Sequence, residues 1–170
     1  AEKDALAGVL WEVTAAWEVP LMVSKAFGSL SFLHSAAETM TEQARLGKET
    51  FIYYFGDHDP SGVRIDQQIQ KRLREFAPAA EIHFERVAVT PEQIVEMNLP
   101  SGPTKTKGTH AKGFDGDSTE VDAIPPAILR DICERCITQH VDQDTYDQLR
   151  IAEQSEREAL TAFLDSRRQY

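Results

Sequence analysis

The feature that most constrains this chain is the stretch Phe51-Ile52-Tyr53-Tyr54-Phe55-Gly56-Asp57-His58-Asp59-Pro60-Ser61-Gly62. The run of β-branched and aromatic residues predicts a strand buried on both faces. Asp-Pro-Ser-Gly then predicts a break and a helix start, with Pro60 presetting φ and Asp59 or Ser61 as the cap. In an open α/β sheet, ligands bind at the carboxyl ends of strands. Asp57 and Asp59 therefore stand where a hard cation could collect both. The same pair also suits a plain turn and cap, and the pattern alone leaves both readings standing.

The rest of the chain alternates around that strand. Glu2 to Trp17 has helical spacing, with Leu6, Val9, Leu10 and Val13 as its apolar stripe. Leu21-Met22-Val23 reads as a short buried strand. A helix capped by Ser29 or Ser31 follows, carrying Leu30, Leu33, Ala36, Ala37 and Met40 and ending at Gly47. A helix from about Val63 to Phe76 turns Val63, Ile65, Ile69 and Leu73 inward, and Glu81 to Val89 reads as a further strand. This order predicts a mainly parallel sheet of about four strands flanked by helices, Rossmann-like in kind. Its first strand would precede Glu2, which would put Glu2 at the same sheet edge as the aspartates; the start at Ala1-Glu2-Lys3 reads as clipped.

Beyond Val89 the pattern changes. Thr90-Pro91-Glu92 starts a short helix, Ser101 to Ser118 is a Gly-, Lys- and Thr-rich loop, and two helices run from Pro126 to His140 and from about Gln143 to Arg167. The expected organisation is an α/β core over residues 1–100, a loop over 101–124 and helices over 125–170. The last helix, with Leu149, Ala152, Leu160, Phe163 and Leu164, is read as a packing or dimer helix, which leaves a homodimer open.

Composition narrows the function classes. A net charge of −10 argues against a protein that coats nucleic acid over its whole surface, so any such contact is local or metal-mediated. No run approaches the roughly 20 apolar residues of a membrane span, no secretory signal is visible, and two cysteines make no disulfide framework. A cytoplasmic protein is expected.

Mg²⁺ takes hard oxygen ligands and keeps several waters, so one to three carboxylates suffice. Asp57 and Asp59 can reach one ion, and Glu2 could share it or move a proton. That set serves phosphodiester or phosphoryl chemistry. His58 would point away from the aspartates if strand geometry continued, which suits a packing or surface role. Lys105, Lys107, His110 and Lys112 form the locally basic stretch, fit either for phosphate contact or for a plain surface loop. Glu120-Val121-Asp122 adds an acidic pair that could reach the metal. Cys133-Glu134-Arg135-Cys136 has zinc-ligand spacing but lies in a predicted helix with no second pair, so two half-buried helix residues is the better account.

Glu2-Lys3-Asp4-Ala5, Val23-Ser24-Lys25-Ala26-Phe27 and Gly56-Asp57-His58-Asp59-Pro60-Ser61-Gly62 together resemble the three blocks of a Toprim domain. The likeness is to the A subunits of type IIB topoisomerases and the related meiotic double-strand-break proteins, and it covers roughly residues 1–90. It implies a Toprim-like fold in which Glu2 binds metal and acts as general acid or base, while Asp57 and Asp59 bind Mg²⁺, with Mn²⁺ as a substitute. It implies nucleic acid, DNA in first place, as the partner, with Lys3 and Lys25 near the phosphate. Those subunits cut DNA with a tyrosine on an upstream winged-helix domain that this sequence lacks. Tyr53 and Tyr54 fall in the predicted buried strand, and Tyr146 and Tyr170 in the last helix region, so no nucleophilic tyrosine is offered.

The expected activity is Mg²⁺-dependent nicking or a cleavage–rejoining step on nucleic-acid phosphodiesters. The rival reading is a non-catalytic interaction module on the same scaffold, or one part of a two-component machine whose partner supplies the nucleophile. A phosphoacceptor or phosphatase-like domain is disfavoured, because Pro-Ser-Gly follows the aspartates and no late-strand lysine or threonine can be placed.

Overall fold

The computed structural model describes residues 4–23, 30–103 and 117–168. Its helices are α1 (Asp4–Ala16), α2 (Leu30–Arg45), α3 (Pro60–Phe76), α4 (Pro91–Glu96), α5 (Pro126–Thr138) and α6 (Gln143–Arg168). The strands are β1 (Thr50–Phe55) and β2 (Ile82–Ala88). They pair in parallel, Thr50 opposite Ile82 and Tyr54 opposite Arg86. Parallel strands need a crossover, and α3 supplies it. The protein is therefore α/β, with a small open parallel sheet of two strands among the described residues, flanked by helices.

Side-chain alternation sorts the sheet into two faces. Ile52, Tyr54, Ile82 and Phe84 join a core with Leu33, Ala37 and Met40 of α2 and Ile65, Ile69 and Leu73 of α3. The inward positions of both helices recur every three to four residues, as the periodicity predicts. On the opposite face Phe51 stacks on His83 with ring centroids 4.6 Å apart.

Two expectations about the sheet need correction. Leu21-Met22-Val23 is half-buried but forms no strand; three residues behind Pro20 are a short run in which to establish a ladder. The aromatic run is also not buried on both faces throughout: Phe51 is 42 % exposed and Ile52 and Tyr53 are half-buried, whereas Tyr54 and Phe55 are buried. With two strands, the beginning of β1 has too little sheet around it to be enclosed.

The ladder continues past both strand ends. The Gly56 N–H donates to the Ala88 carbonyl at 2.7 Å and the Val89 N–H to the Gly56 carbonyl at 2.8 Å. Between Tyr54 and Phe55 the register slips by one residue. This β-bulge gives β2 one residue more than β1 at that end. The Val87 carbonyl accepts from Gln93 Nε2 at 2.8 Å, and Gln93 also closes the capping box of α4 with Thr90. The helix start expected at Thr90-Pro91-Glu92 is thus fastened to the bulge.

The chain divides into two compact units, residues 1–134 and 135–170. In the second, Asp142 Oδ1 accepts from the Thr145 N–H at 2.8 Å and caps α6. Leu149, Ile151, Leu160, Phe163 and Leu164 of that helix are all exposed. No described helix is long and apolar enough to cross a membrane.

Leu73, fully buried between α3 and its neighbours, provides a check on this core. Leu73→Ala is expected to lower the free energy of unfolding by about 2–5 kcal/mol, measured by urea denaturation. A loss below about 1 kcal/mol would mean that the α2–α3 core is misplaced.

Candidate metal centre at the turn from β1 to α3

Both aspartates stand at the carboxyl end of β1. The sequence Asp59-Pro60-Ser61-Gly62 is read by the backbone as cap, first, second and third helical residues. Asp59 has extended φ and ψ, its Oδ1 accepts from the Gly62 N–H at 2.6 Å, and Pro60 occupies the position where a missing N–H is harmless. Gly62 is required for a steric reason. A Cβ there would run into the Asp57 carbonyl oxygen and crowd Asp59 Oδ1. The helix start and the strand end are in contact, and only glycine fits between them.

Asp57 is held from another direction. Its Oδ1 accepts from the Val121 N–H at 2.9 Å. His58 and Thr119 form an antiparallel bridge, with N–H···O distances of 2.8 and 3.0 Å. A second bridge joins Gly102 to Ser118 at 3.0 and 2.8 Å. The chain segment 117–121 is therefore laid along the aspartate turn, with Thr119 and Val121 buried. Each aspartate thus accepts a backbone N–H through Oδ1, which orients a carboxylate that could give one oxygen to a cation. That suits Mg²⁺, which prefers single oxygens in strict octahedral geometry.

Beneath the turn lies Arg86, opposite Tyr54 on β2. Its Nε donates to Asp66 Oδ2 at 2.7 Å, and its Nη1 donates to the carbonyls of Gly56 and Asp57 at 3.0 and 3.1 Å. The guanidinium lies 5.0 Å from the centre of the Tyr54 ring. His58 is held below its ordinary pKa, first by burial and then by the Arg86 charge, against opposing pulls from Asp59 and Glu92. The imidazole is thus biased towards its neutral form.

The structure brings Asp57, His58 and Asp59 to one edge. Glu2, Lys3, Lys25, Lys105, Lys107, His110 and Lys112 lie outside the described residues. Glu120 and Asp122 are exposed residues on the segment that docks against Asp57. Tyr54 is buried in the core, and Tyr53 and Tyr146 are half-buried; Tyr170 is outside the described residues. Cys133 and Cys136 lie on α5 as the helical spacing implies, not joined in a disulfide, and are buried rather than half-buried.

Sequence reading passed over two features. Arg86 lies in the expected strand from Glu81 to Val89 and is half-buried; an arginine among the apolar positions of a strand is a usable signal. Glu49, Glu81 and His83 were also passed over, because the first two precede their strands and show no motif. Among the described residues they are the group of three whose ligand atoms converge, within 4.8 Å of one another. His83 Nε2 lies 3.2 Å from Glu49 Oε2 and 3.5 Å from Glu81 Oε1, all three side chains being exposed. They stand at the amino ends of the strands, opposite to the aspartates, and His83 Nε2 faces both carboxylates.

No protein-family model, curated protein or solved structure matches this chain.

Two outcomes are expected from these contacts. Asp59→Ala should cost about 0.5–2 kcal/mol of stability and Asp59→Asn much less, since the amide oxygen still caps α3; equal losses in thermal or urea unfolding would rule out the cap. Burial, and then Glu134, pushes the Cys133 thiol up to about 11. At pH 8 its alkylation by iodoacetamide should be at least about tenfold slower in the native than in the urea-unfolded protein, and equal rates would contradict its burial.

Proposed function

We propose that this protein binds Mg²⁺ through Asp57 and Asp59, with Glu2 as a third carboxylate, and acts on nucleic-acid phosphodiesters as a Toprim-type domain. The observation that carries the reading is the double pinning of the turn: both aspartates follow a parallel strand, and each is oriented by a backbone N–H. Ligands oriented this way are preorganised for a cation. The Toprim-type reading adds Glu2, which lies outside the described residues.

Bound Mg²⁺ would neutralise and polarise the scissile phosphate. The protein's own groups do the rest. Asp57 and Asp59 would hold the ion, while Glu2 would take a proton from the attacking water. The new bond would join the water oxygen to phosphorus, and the bond to the leaving sugar oxygen would break, that oxygen taking a proton from solvent. Water is the nucleophile in this reading, since no motif marks a tyrosine for attack and Tyr54 is buried in the core. The basic stretch with Lys105, Lys107 and Lys112 begins and ends at the Gly102–Ser118 bridge, next to the segment that pairs with His58. Those lysines, together with Lys25, all outside the described residues, would supply phosphate contacts to a chain that is otherwise strongly acidic.

The net charge of −10 favours a second reading, a non-catalytic scaffold or one component of a two-part machine. Supercoiled plasmid separates the two. With Mg²⁺ or Mn²⁺ the protein is expected to convert it to the nicked form, and EDTA should abolish conversion. Asp57→Asn and Asp59→Asn, which keep an oxygen for Val121 and Gly62 but remove the charge, should lose about 100-fold or more of the rate. Absence of conversion at any metal concentration would leave the scaffold reading in its place.

A further inference from the structure

We infer that Arg86 is a positioning residue that fixes the aspartate turn in its ligating form, by clamping the Gly56 and Asp57 carbonyls to α3 through Asp66. Three observations converge on it. The first is reach. One guanidinium spans three acceptors that belong to two elements: the two consecutive carbonyls at the end of β1, and the Asp66 carboxylate on α3. No other cationic side chain has that planar fork; a lysine amine is a point donor and cannot serve both directions at once.

The second is burial. The Arg86 and Asp66 side chains are only 15 % and 12 % exposed. A buried ion pair is a poor means to stability, since desolvation consumes most of the Coulomb gain. Moreover, Nη2 is buried with no hydrogen-bond partner among the described residues. A group selected for stability alone would not leave a donor unsatisfied. The arrangement is accounted for if what matters is where Nη1 sits.

The third is consequence. The carbonyls of Gly56 and Asp57 turned towards Arg86 fix the peptide planes on either side of the Asp57 Cα. The direction in which the Asp57 side chain leaves the backbone follows from those planes, and Oδ1 then meets the Val121 N–H. The bulge one step back along the ladder offsets β2 at this end, in the turn's immediate surroundings. Arg86 therefore acts on the aspartates through the backbone rather than on a ligand, and it touches no reacting atom.

This inference deepens the metal reading and rests on it for its purpose, but its test does not depend on metal. Amide hydrogen exchange is followed at Val121 and Gly62, whose N–H groups are held by Asp57 and Asp59, with Ala77 at the far end of α3 as the internal reference. Two proteins are compared with the parent chain. Arg86→Lys keeps the charge and removes the fork. The double variant Arg86→Met with Asp66→Leu removes both charges together, so that neither is left buried alone.

In both, protection at Val121 and Gly62 should fall at least about tenfold while Ala77 changes by less than about twofold. Retained protection at Val121 and Gly62 in either variant would overturn the inference. So would a uniform loss that includes Ala77, which would make Arg86 a stability residue only. Mn²⁺ titration of the same proteins gives the functional side: the variants should bind about 10–100-fold more weakly than the parent, as when a residue that holds a metal's ligands is removed. A parent chain that binds no Mn²⁺ would refute the metal reading, while the exchange result would still decide the role of Arg86.

Discussion

The parallel pairing of β1 with β2, carried one step beyond both strands by Gly56 and Val89, is the constraint on which the rest depends. It fixes where the backbone of β1 stops being a ladder and becomes a turn. Without that fixed end, Asp57 and Asp59 would be two acidic residues in a loop. With it, Pro60 and Gly62 start α3 immediately against the Asp57 carbonyl. The helix in turn closes the βαβ unit and packs Ile65, Ile69 and Leu73 under the strands. Sheet, turn and helix therefore determine one another, and most of the described core serves to hold that single junction.

Electrostatics at the junction follow a division of labour. Two carboxylates face the candidate ion position, while one cation, Arg86, stands behind them and binds backbone carbonyls rather than either of those carboxylates. Its own carboxylate partner, Asp66, belongs to α3. Backbone N–H groups of Val121 and Gly62 orient Asp57 and Asp59.

Much of this was legible in the sequence, for identifiable reasons. The β1–α3 junction is spelled out locally: an aromatic run, then Asp-x-Asp-Pro-Ser-Gly, in which cap, proline and glycine each have one backbone role. The helical spacing of Ile65, Ile69 and Leu73 and the capping box at Thr90 and Gln93 are local as well. What escaped depends on contacts far apart in the chain. Val121 reaches Asp57 across 64 residues, and no pattern near either residue announces it. Arg86 meets Asp66 and Gly56 only because of the parallel register, which propensity does not encode. The overestimated burial of Phe51 and the strand expected at Leu21-Met22-Val23 share one cause: hydrophobicity was read as enclosure, whereas enclosure depends on how many strands lie alongside.

The central claim is that the aspartate turn, rather than the Glu49–Glu81–His83 group at the other end of the strands, is where this protein holds a divalent cation. Paramagnetic broadening of backbone amide signals by substoichiometric Mn²⁺ tests it directly, because the effect falls steeply with distance from the bound ion and the two clusters lie at opposite strand ends. The account predicts loss of signal centred on residues 56–62 and 119–122, reversed by EDTA and by excess Mg²⁺. Broadening centred on Glu49, Glu81 and His83, or none at these amides, would contradict it.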